Sequence, residues 1–195
     1  MIIYRQEIEE QRVGRNKDTV INHTYINSGE YRRKFDCISN NPKLNRLLYK
    51  LAKKMLLHRS GTLFEDMYWI ELENIQIVAE ETISLAEKEI IYSEKTKKVV
   101  SNNFGLLTIH SHPNSFPPSI SDINSNYLNK YSVGIVICHN GKIYMYNAEE
   151  DISEDYYNLT VVEYLKQGYN EDETQVLALK EIQEKFNVQI KEVTE

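Results

Sequence analysis

The chain has 195 residues, 41% hydrophobic and 27% charged, with a formal net charge of -6. This balance suits one globular domain with appendages and excludes a disordered tail or an apolar run long enough to span a bilayer. An acidic chain without a clustered basic face is not expected to bind nucleic acid, and two cysteines as far apart as Cys37 and Cys138 argue against a disulfide framework or a cysteine-rich zinc site.

The first residues, MIIYRQEIEEQRVGRNKD, lack the apolar core and small-residue cleavage site of a secretory signal, so a cytoplasmic protein with no membrane partner is expected. Residues 1–40 are polar, and the Asn, Ser and Gly of INHTYINSGEY suggest turns, so this part reads as an N-terminal extension. Asn41 and Pro42 then supply a cap and a first-turn proline. Leu44, Leu47, Leu48, Leu51, Ala52, Met55 and Leu56 follow at the spacing of one buried helix face, with Gly61 just past its end. The lysines of KLAKKMLLHR fall on the solvated side of that helix.

TLFEDMYWIELENIQIVAEE predicts two antiparallel strands around Glu73 and Asn74, and EKEIIYS is a further candidate strand. FGLLTIHSH, residues 104–112, predicts a core strand with a polar C-terminal end. Ser119 is placed to cap a helix over ISDINSNYLNKY, and VGIVICHNGKIYMYNAE predicts a hairpin with a type I′ turn at Asn140-Gly141. From about residue 152 two helices broken at Gly168 lead to a short VQIKEV tail. The expected fold class is α/β, divided into the extension (1–40), a core (41–150) and a C-terminal helical appendage (151–195).

One stretch carries chemistry: TIHSHPNSFPPSISD, residues 108–122. Alternation along a strand sends His110 and His112 to the same side, with Cβ atoms about 7 Å apart, a span that two imidazoles can bridge onto one ion. Pro113, Pro117 and Pro118 stiffen a turn able to return Asp122 to them. Two nitrogens and one oxygen leave a fourth tetrahedral position open, the arrangement of a catalytic zinc site rather than a closed structural one. The plainer alternative is that Ser119-Ile120-Ser121-Asp122 is a helix-capping box and HSHP a polar strand end. Asp122 in the first helical turn can serve both roles, since the helix dipole favours its ionised form.

HSHPNSFPPSISD resembles the zinc signature of the JAMM, or MPN+ (Mov34/JAB), metalloprotease family. That pattern is His-x-His, commonly Pro, with seven residues before Ser, two more, and Asp. Six residues, not seven, separate His112 from Ser119, so the shortening falls in the proline turn. The resemblance covers residues 42–150 and implies an MPN/JAB cytidine-deaminase-like mixed sheet flanked by helices. It further implies Zn2+ held by His110, His112 and Asp122, Ser119 donating to the developing oxyanion, and an upstream glutamate as general base. Glu65, at the start of a strand after the long helix, has that placement; Glu71, Glu80 and Glu81 are rivals. The implied reaction is hydrolysis of an amide: an isopeptide bond, or the bond after the C-terminal glycine of a ubiquitin-like protein substrate. The compact core is similar to that of prokaryotic and mobile-element members. Three competitors stand beside this expectation. They are a RadC-like DNA-associated protein, which a salt-sensitive DNA shift would reveal, a non-catalytic MPN-type interaction module, which metal analysis would reveal, and a phage-associated or effector role in a larger assembly.

Overall fold

A computed structural model describes residues 16–113 and 115–195; the first fifteen residues of the expected extension lie outside the described residues. Six strands form one open sheet: β1 (Met67–Glu71), β2 (Gln76–Glu81), β3 (Leu107–His112), β4 (Val133–Cys138), β5 (Ile143–Ala148) and β6 (Val188–Glu192), in the order β2-β1-β3-β4-β5-β6. Only β3 and β4 pair in parallel, and the other neighbours are antiparallel. A parallel pair requires a crossover connection. Among the described residues, seven α-helices accompany the sheet: α1 (His23–Ile26), α2 (Gly29–Asp36), α3 (Pro42–Arg59), α4 (Glu94–Ser101), α5 (Ile120–Leu128), α6 (Glu154–Lys166) and α7 (Glu171–Lys185). The crossover from β3 to β4 contains α5. The mixed α/β class matches the sequence expectation. No helix among the described residues is long and apolar enough to cross a membrane.

Alternation along the strands divides the core into two layers. On one face, Tyr68, Ile70, Leu107, Ile109, Ile135 and Ile137 pack beneath Leu48, Leu51, Ala52 and Met55 of α3. That helix forms where the sequence predicts, with Asn41 accepting from Lys43 N and Leu44 N, Pro42 in the first turn, and Gly61 in the left-handed region just beyond it. On the other face, Val136, Cys138, Tyr144 and Tyr146 meet Ile120 and Ile123 of α5 and Leu179 and Ile182 of α7, while Met67 and Trp69 pack with Val100, Leu106 and Tyr131. Burying each such aliphatic side chain is worth about 2 kcal/mol, so both faces are sealed by the hydrophobic effect rather than by polar contacts.

Several elements differ from expectation. INHTYINSGEY is helical rather than a run of turns, because its polar residues act as caps: Asn22 accepts from Tyr25 N, and Ser28 from Tyr31 N. These caps start α1 and α2, whose Ile26, Tyr31 and Phe35 join the layer under α3. EKEIIYS forms no strand; one isolated bridge, Phe64 to Glu87, ties it to the chain ahead of β1. The segment after it is α4, capped by Ser93. The β4–β5 turn has positive φ at Gly141 and not at Asn140, with Gly141 N donating to Cys138 O and Cys138 N to Lys142 O. This is a type I turn followed by a glycine bulge, not type I′. The VQIKEV tail is a sheet edge, β6, paired with β5.

Candidate metal centre

The centre is assembled by the register of β1 against β3 and by the start of α5. Met67 pairs with His110 at the end of the β1–β3 ladder. One step further, Ser111 N donates to Asp66 O at 3.0 Å, and Asp66 N donates to Ser111 Oγ at 3.0 Å. The same register carried one residue more sets Glu65 opposite His112. Alternation then sends Glu65, His110 and His112 to one face, the face that α5 covers.

The His110 and His112 Nε2 atoms lie 3.0 Å apart. Asp122 closes the group, with Oδ1 3.2 Å from His110 Nε2 and Oδ2 3.3 Å from His112 Nε2. One donor atom from each residue can be chosen so that all lie within 4.8 Å of one another. A tetrahedron with metal–ligand bonds of about 2.0 Å has edges of about 3.3 Å, so these spacings fit a single small cation. The donor set fits as well: imidazole, imidazole and carboxylate, with no thiolate, is the composition of sites that keep a position open for chemistry. His112 Nδ1 faces Phe116 O at 3.2 Å, which places its proton there and leaves the Nε2 lone pair for the ion. Cys138 Sγ donates to the same carbonyl at 3.3 Å, tying β4 to the proline turn. Two facing Nε2 atoms cannot both donate to each other, a conflict that a shared cation resolves, while His110 Nδ1 is buried without a hydrogen-bond partner.

Electrostatics points the same way. Burial, the largest single influence on His112, pulls its pKa down, but the Asp122 carboxylate and then Glu65 raise it to about 9. For Asp122, burial pushes upward, yet the two histidines hold it well below the usual carboxylate range. The cluster therefore attracts positive charge, and a metal cation displaces the proton that otherwise satisfies it.

Ser119 reconciles the two sequence alternatives. Its Oγ accepts from Asp122 N at 3.1 Å and donates to Asp122 Oδ2 at 2.7 Å, while Ser119 N donates to that same oxygen at 2.7 Å. The capping box is real, and it aims the Asp122 carboxylate at the two histidines. In this arrangement the Ser119 hydroxyl proton is directed at Asp122.

Glu65 is 6% exposed, and burial raises its pKa against the opposing pull of His112 and His110. It lines a cavity of about 470 Å3 together with His112, Ser119 and Asp122. Its rivals are occupied elsewhere. Glu71 accepts from the N–H groups of Glu73 and Asn74 in the β1–β2 turn, Glu80 lies 3.8 Å from Lys54, and Glu81 accepts from Ser93 N at the start of α4. Among the described residues, none of the three lines the cavity.

Other contributors carry no motif. Arg59 Nε donates to Asp66 Oδ1 at 2.5 Å and His58 Nδ1 lies 2.8 Å from Oδ2, so the residue beside Glu65 is clamped to the end of α3. Gly134 makes room for Tyr146, whose phenol carbon would lie 2.1 Å from an added Cβ. Tyr146 also lies edge-on to His110, with centroids 6.4 Å apart, and lines the cavity. His139 is not a ligand: its ring sits 2.7 Å from Thr19 O, and burial pushes its pKa down to about 4. No family model, curated protein or solved structure matches the chain.

Proposed function

We propose that the chain is a zinc-dependent metallopeptidase of the JAMM type, hydrolysing an amide bond of a protein substrate. The observation that carries this proposal is the convergence of His110, His112 and Asp122 beside a buried carboxylate, Glu65, that sequence register sets opposite His112. The six-stranded mixed sheet, with α3 on one face and α5 on the other, suits an MPN/JAB-type core.

His110, His112 and Asp122 hold the ion, with Ser119 orienting the Asp122 carboxylate. Zinc, when bound, supplies Lewis acidity and brings the pKa of water near neutrality. Glu65 accepts the proton that water loses as its oxygen adds to the amide carbon, then delivers it to the nitrogen as the carbon–nitrogen bond breaks, giving a carboxylate and an amine. Burial raises the Glu65 pKa towards the range in which one carboxylate can both take and return a proton. A substrate ending in a ubiquitin-like tail suits the implied family chemistry. A cytoplasmic location suits the two free cysteines, Cys37 and Cys138.

The test couples metal analysis of the purified chain to hydrolysis of ubiquitin-like fusions. The expected result is one zinc per chain, with turnover lost to chelator and restored by zinc. A chain that holds no zinc at micromolar ion, or turnover indifferent to chelator, would overturn the proposal. Stoichiometric zinc with no hydrolysis of any amide would favour the non-catalytic interaction module instead.

A further inference from the structure

The cavity beside the candidate centre has a wall that the proposed chemistry does not use. The segment between β2 and α4 crosses in front of the sheet, fixed by Lys88 N donating to Leu63 O at 2.8 Å and by Ser93 N donating to Glu81 Oε1 at 2.9 Å. Between these ties, Lys88, Glu89, Ile90 and Tyr92 line the cavity, while Ile91 turns out to solvent at 58% exposure. The sequence along this wall is graded. Lys88 is exposed at the rim, Ile90 and Tyr92 are half-buried, and the Tyr92 hydroxyl reaches inward to Ser125 Oγ at 3.3 Å and towards Met67 Sδ at 3.9 Å. The floor continues with Met67, Tyr131 and Tyr146. A recess with one wall of Met67, Ile90, Tyr92, Tyr131 and Tyr146, and with Lys88 beside Glu89 at its rim, therefore opens next to Asp122 and Glu65.

Lys88 is distinctive in two ways. Its φ of 55° is in the left-handed region, which a lysine rarely adopts, and the bridge between Phe64 and Glu87 holds it there. It is also the one Lys or Arg among the described residues lining a cavity that contains the carboxylates of Glu65, Glu89 and Asp122, and it forms no ion pair with any of them. A cation held by strained backbone beside the apolar wall of this recess matches the two ends of one C-terminal amino-acid residue: a carboxylate for the lysine and a side chain for the wall of Ile90, Tyr92 and Met67.

Building on the hydrolase proposal, we infer that Lys88 is a specificity-determining residue. It anchors the free α-carboxylate of a substrate whose last residue is bulky and apolar, so the scissile amide is the C-terminal peptide bond. Water adds to the carbonyl carbon of that bond, the carbon–nitrogen bond breaks, and the proton lost by water ends on the nitrogen of the released amino acid. The cavity volume, about 470 Å3, is of the size that takes a small ligand.

The test uses acetyl-phenylalanyl-phenylalanine and its C-terminal amide as probes. Binding is measured by calorimetry in the zinc-loaded full-length chain carrying Glu65→Gln, and hydrolysis in the chain with Glu65 intact. The acid is expected to bind about tenfold more tightly than the amide, as one charge-assisted contact allows. Lys88→Gln in the same background is expected to bring the two within about twofold, and Lys88→Arg to restore the preference. Lys88→Gly, which relieves the positive φ, is expected to lose the preference while melting no lower than the parent. Equal binding of acid and amide, or a preference that survives Lys88→Gln, overturns the inference. Acid preference without hydrolysis by the intact chain leaves the anion site standing and removes the hydrolase proposal; hydrolysis without acid preference does the reverse.

Discussion

Replacing Arg59 with Met tests how the fold holds Glu65 in place. The Arg59 and Asp66 side chains are 5% and 1% exposed, and their 2.5 Å contact is joined by an Arg59 Nη2 bond to Thr82 O at 2.8 Å. Removing one partner of a buried pair costs about 3–5 kcal/mol, because the remaining charge is stranded away from water. His58, half-exposed and 2.8 Å from Asp66, remains as a partial partner, so the expected loss lies at the lower end, about 3 kcal/mol. For a chain of this length that corresponds to about 6–12 °C in the thermal midpoint. The assay is denaturant and thermal unfolding of the parent, Arg59→Met, Asp66→Asn and the double variant. The double variant should lose less than the sum of the singles by at least about 1 kcal/mol, since it strands no charge. A single-variant loss under about 1 kcal/mol, or additivity within about 0.5 kcal/mol, would refute the claim that this pair clamps the start of β1.

Other expectations concern the centre and its surroundings. Glu65→Gln should retain zinc by elemental analysis and lower kcat by about 10²–10⁴, and full activity in the variant would remove Glu65 from proton transfer. His112→Ala should abolish both stoichiometric zinc and the rise in thermal midpoint that added zinc gives the parent, because only a folded chain with all three donors binds the ion tightly. Retention of one equivalent would contradict the ligand set. Glu81 supplies a pH test remote from the centre. Burial, its largest influence, raises its pKa, but hydrogen bonds from Ser93 and Thr96 together bring it below the ordinary value. Its contribution to stability is therefore complete above the unfolded glutamate pKa and is lost as pH falls through the lower folded value. Unfolding curves of Glu81→Gln and the parent should converge on acidification below about pH 4, and a constant gap would show that the carboxylate charge is not what matters.

The paired histidines were legible because strand alternation is a local rule, and Asp122 because a capping-box spacing fixes its distance from Ser119. Glu65 is singled out by its place after the long helix, and the β1–β3 register carries it opposite His112 while Glu71 sits at the other end of β1. The cavity wall was not legible. Ile90, Ile91 and Tyr92 have the composition of a strand, but β1 on its far side already pairs with β3, and the segment is held by single bonds rather than a ladder. The role of Arg59 was hidden for a similar reason: a charged residue in the last turn of a helix usually faces solvent, and only the return of β1 buries it. In residues 22–28, propensity misled because Asn and Ser serve turns and helix caps alike.

All three donor residues fall between His110 and Asp122, one strand end and the first turn of the next helix. Gathering them costs the entropy of closing a single short loop, far less than recruiting side chains scattered over a hundred positions. The three candidate ligands are thus gathered in one hairpin-sized unit, while Glu65, the proposed proton carrier, arrives from a separate part of the chain. Damage to distant packing should consequently silence turnover well before it empties the centre.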